Sequence, residues 1–478
     1  MNRRRFLRSA AAASTAPAVA RQTGGTASSG FQPVEKPNVL WLLADQHRAQ
    51  AISGYGDPNV GTPNIDRCIT DGVHFTNAIS GFPLCCPFRG SLLTGLYAHK
   101  CVPGHEYPLP EGQPTLAQPF RQAGYHTAWF GKWHLGGWKE AQGRGAYYIL
   151  PPEMRGGFDT WVGYENNNSQ WDCWVHGGTG KDAFHYRLPG YETDELTTLF
   201  VQHLKERAAA NQRGPRQPFF AALSVQPPHD PYVAPAEYMH RYRPGALALR
   251  PNVPASAPIQ SQARRELAGY YAMVDNWDHN IGRILRTLEE TGLVFETHVI
   301  ILSDHGDMLG SHGQFRKMNP YEESIRIPFI IAGEQPRYLG RVNGAQDAFL
   351  TAPDIAPTTL GLCGIPKPSW MQGTDLSAFR FANRTRPAKP DSAYLQTVIP
   401  TGHSNSVNKP YRGVVTRDGW KYACFEGVSY VMYNLNDDPF EQVNVAHDNR
   451  YRAERRKLIE RTRQWAADTG DQFRFPED

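Results

Sequence analysis

From Pro37 onward the chain alternates short, wholly apolar runs with longer stretches of helical periodicity. Val39-Leu40-Trp41-Leu42-Leu43-Ala44 contains no polar position, the pattern of a strand covered on both faces. Further strands are predicted at Tyr125 to Phe130, Phe219 to Val225, Val299 to Leu302 and Ile327 to Ile331. Apolar residues then recur at 267, 270, 271, 274, 277, 281, 284, 285 and 288, one buried stripe of a helix that Gly292 stops. This alternation predicts an α/β fold in which a large mixed, mostly parallel sheet is sandwiched by helices.

After about residue 375 the pattern changes. Tyr411–Thr416, Trp420–Phe425 and Tyr430–Leu435 read as short antiparallel strands, with Asp418-Gly419 turning the first into the second. A charged helix, Arg450 to Ala466, follows them. A chain of 478 residues exceeds one compact core, so a main domain over 37–375 and a smaller α+β subdomain over 376–478 are expected.

The first residues follow neither pattern. Met1-Asn2-Arg3-Arg4-Arg5-Phe6-Leu7-Arg8 precedes an alanine-rich run ending Ala18-Val19-Ala20. A charged start, a weakly apolar middle and a small-residue end predict a signal peptide over 1–20, and the adjacent arginines give it a twin-arginine character. Residues 21–36 read as a flexible leader. The expected location is therefore periplasmic or secreted, with the twin-arginine translocase as a partner. Removing four arginines takes the formal charge from +4 to 4 − 4 = 0. A neutral protein offers no global attraction to nucleic acid, so anion recognition must be local. No run is apolar for long enough to span a bilayer. The seven cysteines lack CxxC spacing and define no disulfide framework.

Candidate chemistry gathers just past the predicted strands, where open α/β sheets place their ligands. Asp45-Gln46 follows the first strand, and Asp304-His305 follows the strand near 300. Two acid-containing pairs at two such ends supply the oxygen-rich set a divalent cation needs, with His305 adding a nitrogen. A strand-end aspartate also serves as a helix cap or turn former. Gly131-Lys132-Trp133-His134-Leu135-Gly136 follows the strand ending at Phe130, and an extended segment would point Lys132 and His134 to one side. Pro227-Pro228-His229-Asp230-Pro231 holds His229 in a rigid, non-helical loop.

Cys85-Cys86-Pro87-Phe88-Arg89-Gly90-Ser91-Leu92-Leu93-Thr94-Gly95 draws these motifs together. Alone, the cysteine reads as a small buried residue in a turn closed by Pro87. The string, however, resembles the signature of type I sulfatases of the alkaline phosphatase superfamily, and the other motifs occur in that family's order. The resemblance implies an alkaline-phosphatase-like fold and a sulfuric ester hydrolase. It implies that Cys85, in register with Pro87 and Arg89, is oxidised to formylglycine (3-oxoalanine) by a formylglycine-generating enzyme. It places a metal on Asp45, Gln46, Cys85, Asp304 and His305. Calcium is expected first. Asp45-Gln46 stands where many members have two aspartates, so manganese and magnesium remain open.

The same resemblance sets Lys132 and His134 on the sulfate and the formylglycine hydroxyl, and His229 near the leaving oxygen. Lys317, in Gly313-Gln314-Phe315-Arg316-Lys317, bridges sulfate and leaving group. Arg89, one turn into a helix beginning near Phe88, holds the charged hydrate. His229, with Lys317, is then the general acid, and His134 is the base that lets sulfate depart as the aldehyde reforms. The expected substrate is a sulfated small molecule or saccharide. Asn166, in Asn166-Asn167-Asn168-Ser169-Gln170-Trp171-Asp172, and His403 are candidate pocket residues. Asp-Gln and Asp-His also occur in relatives acting on phosphonate monoesters or choline sulfate, which leaves those hydrolases as alternatives. A non-catalytic, metal-holding glycan-binding protein with an unmodified Cys85 is the other, because Phe88 replaces the serine common at that position.

Overall fold

The computed structural model describes residues 36–333, 342–400, 402 and 407–477. His403, the signal over 1–20 and the leader up to residue 35 lie outside the described residues.

The main sheet has ten strands: β1 (Asn38–Ala44), β2 (Val73–Ile79), β3 (His126–Lys132), β4 (Thr160–Tyr164), β5 (Trp174–Gly177), β6 (Phe184–Arg187), β7 (Phe219–Val225), β8 (Thr297–Ser303), β9 (Phe329–Ala332) and β10 (Gly344–Thr351). Their order is β10-β2-β9-β8-β1-β7-β3-β4-β5-β6. The central run β8-β1-β7-β3-β4 is parallel, while β9 runs antiparallel to both its neighbours. The expected mixed, mostly parallel sheet is present.

Its two faces follow from the pleat. Val39, Trp41 and Leu43 of β1 join a core with Phe88 and Leu92 of the helix Cys85–Thr94 and Ile355 and Leu360 of the helix Ala352–Leu362. Leu40, Leu42 and Ala44 face the other way, onto Leu196 and Phe200 of the helix Glu192–Arg213 and Trp277 and Ile281 of the helix Ala257–Glu290. This explains why β1 tolerates no polar side chain: each face is covered by helices, and every residue in it is buried.

A second sheet, β11 (Ser392–Thr397), β12 (Tyr411–Thr416), β13 (Trp420–Phe425) and β14 (Val428–Asn434), is antiparallel throughout. The helix Arg452–Thr469 packs Leu458 and Ile459 onto its Val414, Tyr422 and Met432. Its Ala393, Tyr411 and Tyr433 share a core with Ile79, Ile325 and Phe349. No described helix is long and apolar enough to cross a membrane.

Several boundaries differ from expectation. β9 begins at Phe329, because Pro328 has no N–H to pair. The long helix extends back to Ala257, with a proline in its first turn where no N–H is required. The helix carrying Arg89 begins at Cys85, not near Phe88. It is buried along its whole length and so shows no amphipathic stripe from which its start could be read.

Candidate active site

Register brings the two acid pairs together. Ala44 of β1 pairs with Ser303 of β8, so Asp45 and Asp304 leave adjacent strands at the same level. The helix Cys85–Thr94 presents Cys85 in its first turn. Asp45, Cys85, Asp304 and His305 are all buried, and each offers a ligand atom within 4.8 Å of the others. Cys85 Sγ, which marks where a formylglycine oxygen would sit, is 3.1 Å from His305 Nε2 and 3.5 Å from Asp45 Oδ1.

Gln46 completes this group through an unusual backbone. Its φ of 68° lies in the left-handed region, a conformation that costs a non-glycine residue and recurs at functional sites. Its N–H donates to Asp304 Oδ1 at 2.9 Å, and its side-chain Nε2 donates to Asp307 Oδ2 at 2.6 Å. The amide is thereby turned so that Oε1 faces Lys317 Nζ at 2.7 Å. Asp304 Oδ2 is buried and meets only the Arg89 guanidinium, at 3.2 Å and without hydrogen-bond geometry. Two carboxylates, an amide oxygen and an imidazole form a donor set that fits a divalent cation. Burial, opposed by Asp304, keeps the His305 imidazole below its ordinary pKa and hence neutral, as a ligand must be.

Cations surround this group. Lys132 Nζ lies 2.8 Å from Asp45 Oδ2, and Arg89 Nη2 lies 3.2 Å from both Asp45 Oδ2 and Asp304 Oδ2. Burial opposes the charge on Asp45, yet Lys132, His229, Arg89 and His305 hold its carboxyl well below the usual range. Arg89 also donates to Lys132 O at 3.0 Å and to Ser224 Oγ at 2.8 Å. Its contacts therefore tie β1, β3, β7 and β8 together at the floor of the site.

Lys317 Nζ is 3.6 Å from Cys85 Sγ and 2.7 Å from His229 Nε2. His229 Nδ1 is 2.7 Å from Asp230 O, and a carbonyl only accepts, so Nδ1 carries the proton and Nε2 accepts from the Lys317 ammonium. Gln170 Nε2 donates to His229 O at 3.0 Å and braces the loop from the other side.

One expectation is corrected in detail. Lys132 and His134 do not lie on one extended side, because the chain turns at His134, whose φ is 57°. Lys132 reaches Asp45, whereas the buried His134 packs edge-on against His105, with ring centroids 5.5 Å apart and neither nitrogen hydrogen-bonded. The amide run is mostly internal. Asn166 is 5 % exposed and donates to Glu140 Oε1 at 3.0 Å, and the Asn167 N–H donates to Gln226 Oε1 at 3.0 Å. Trp171 in the same run is 46 % exposed.

Sequence reasoning did not single out Asp230, Asp307, Ser224 or Glu165 as separate participants. Asp230 lay inside a quoted motif beside His229, and Asp307 stands three residues past Asp304; that adjacency was the available signal. Glu165, just past β4, accepts the Gly136 N–H at 2.8 Å and so fixes the turn after Lys132. It carried no motif.

Comparison with known proteins places this geometry. Residues 37–365 match the family model described as Sulfatase, and residues 310–468 match N-sulphoglucosamine sulphohydrolase, C-terminal. An ulvan-active sulfatase from Formosa agariphila is 33% identical over 457 residues, covering 92% of this chain and 83% of the relative. An endo-4-O-sulfatase from Bacteroides thetaiotaomicron is 32% identical over 413 residues, 77% of this chain and 78% of that protein. The solved phosphonate monoester hydrolase of Agrobacterium radiobacter superposes with a TM-score of 0.72 at 22% identity, over 91% of this chain and 96% of that one, a likeness of fold.

Proposed function

The chain belongs to the sulfatase family and has its alkaline-phosphatase-like fold, and from that premise we propose that it hydrolyses a carbohydrate sulfate ester with a nucleophile made from Cys85. The observation that carries this reading is the position of Cys85 Sγ, within 3.1–3.6 Å of His305 Nε2, Asp45 Oδ1 and Lys317 Nζ at the start of a buried helix. Conversion of Cys85 to formylglycine would supply a hydrated aldehyde as nucleophile. Asp45, Gln46, Asp304 and His305 would hold a divalent cation, calcium first among the candidates, which acidifies that nucleophile and polarises the ester.

The remaining residues act on the substrate. Lys132, paired with Asp45, and Lys317, beside Cys85 Sγ, stabilise charge on the non-bridging sulfate oxygens. Lys317 and His229, already in hydrogen-bond contact, deliver a proton to the departing alcohol. Arg89 pairs with both Asp45 and Asp304 and holds them in place. His134 is assigned the proton removal that frees the product. Burial, then the charges of Lys132, His105 and Arg89, hold its pKa well below the ordinary value, so the ring rests neutral.

Activity of the Formosa relative on ulvan supports a sulfated polysaccharide or its oligosaccharides as substrate class. Asn166 is then a candidate sugar contact, because its Oδ1 is buried without a partner. The reading assigns catalysis to 37–375 and a supporting subdomain to 376–478. It also takes residues 1–20 as a twin-arginine export signal, consistent with maturation by a formylglycine-generating enzyme before export to the periplasm or beyond. Sulfate release from a panel of sulfated saccharides, run beside a phosphonate monoester, tests the assignment. Preference for a sulfated saccharide is expected. Preference for the phosphonate would favour the second reading, which rests on the two-carboxylate ligand set.

A further inference from the structure

Cys86, one residue past the reactive position, belongs to a different cluster. Its Sγ is 3.9 Å from His105 Nδ1 and accepts the Glu106 N–H at 3.3 Å. Cys86 Sγ, a ring nitrogen of His105 and a ring nitrogen of His134 all lie within 4.8 Å of one another. His134 is 3 % exposed, and neither of its nitrogens has a hydrogen-bond partner. Buried polar atoms are nearly always paired, so this ring lacks the partner its surroundings ought to supply. The other ring nitrogen of His105, Nε2, stands 3.7 Å from Glu106 Oε1. A carboxylate behind an imidazole is the usual outer-shell arrangement of a metal-binding histidine.

A thiol and two imidazoles are soft-to-borderline donors, unlike the oxygen-rich group around Asp45. We propose that Cys86, His105 and His134 form a second metal site, selective for zinc, whose occupancy inhibits the enzyme by withdrawing His134. On binding, the Cys86 thiol releases its proton to solvent as the sulfur–metal bond forms. Burial keeps the imidazoles of His105 and His134 neutral, so each offers a lone pair without displacing a proton. The inhibitory half rests on the role given to His134 above. The binding half does not.

The test uses the full-length enzyme loaded with its own divalent cation, titrated with zinc and, separately, with cobalt(II) as a spectroscopic probe. Elemental analysis after gel filtration is expected to find one additional zinc with the resident cation retained. Cobalt should give thiolate-to-metal charge-transfer absorption in the near ultraviolet. Turnover should fall at least tenfold at saturating zinc. Cys86→Ala should abolish the cobalt band and weaken zinc binding by more than the roughly 10–100-fold that losing an outer-shell partner costs, with Cys85 maturation and zinc-free turnover unchanged. If that variant does not fold, His105→Ala is read by the same band. The site is overturned if zinc merely displaces the resident cation, or if the variants bind and are inhibited like the parent. A Cys86-dependent zinc that leaves turnover unchanged overturns the inhibition and the role of His134, and leaves the sulfatase assignment standing.

Discussion

Lys317 contacts both Gln46 Oε1 and His229 Nε2, so a single ammonium joins the metal-binding side of the site to its acid side. If the Lys317–His229 pair protonates the leaving oxygen, His229→Ala should cost about 10²–10⁴-fold in kcat on a sugar sulfate. It should cost far less on nitrophenyl sulfate, whose leaving group needs no proton. Equal losses on both substrates would assign His229 a binding role instead. Asp307 accepts from the Gln46 amide at 2.6 Å and from the Tyr232 hydroxyl at 2.5 Å. Asp307→Ala frees that amide to rotate, and affinity for the divalent cation should fall by about 10–100-fold, measured by competition with a chelating dye. At this scale the sequence was informative where several short motifs recur in one family's order: Asp45, Cys85, His229, Asp304 and His305 could be picked out together, though none names its chemistry alone. Orientation was not legible. Nothing in the string Lys132-Trp133-His134 revealed the left-handed turn that sends Lys132 to Asp45 and leaves His134 beside His105.

The element that places Lys132 is β3 with the turn after it, and Glu165 holds that turn by accepting the Gly136 N–H. Burial raises the Glu165 carboxyl to about 7, against the backbone N–H groups that lower it. The folded state therefore holds a proton that the unfolded chain releases near pH 4.5. The contribution to stability is full below that pH and declines as pH rises toward 7, by about 3 kcal/mol at most. Glu165→Gln keeps an acceptor for Gly136 and removes the titration. Urea denaturation of the variant should show a flatter dependence of stability on pH between about 4.5 and 7 than the parent. The strands that deliver the site were readable because each is buried on both faces. β7 in particular was predicted with the bounds observed. β5 and β6 were not, since Phe184–Arg187 is at most half-buried and too polar to stand out from a loop. β2 and β10 lack a continuous apolar run because outward residues such as Thr76 and Asp347 interrupt them.

Across the whole molecule, a buried ionic knot ties the small sheet to the short helix Glu322–Ile325. Lys421 of β13, fully buried, lies 2.6 Å from Glu441 Oε1 and 2.8 Å from Glu322 Oε1. Glu441 Oε2 accepts the Glu322 N–H at 2.8 Å, so the small sheet grips the segment that follows Lys317. Removing one partner from a buried pair leaves charge uncompensated, and Lys421→Ala should lower stability by about 3–5 kcal/mol by chemical denaturation. The pairing of Glu441 with Glu322 was not legible in the sequence, because a contact across more than a hundred residues leaves no local pattern.

Hydrolysis by this route requires Cys85 to become the nucleophile, and that is a question of mass. Trypsin should release residues 68–89, which contain Cys68, Cys85 and Cys86. In protein isolated from its native host and treated with iodoacetamide, this peptide is predicted to carry two alkylated cysteines, at Cys68 and Cys86. Position 85 should show sulfur and two hydrogens exchanged for oxygen. A peptide alkylated at all three positions, from an enzyme preparation that releases sulfate, would contradict the account.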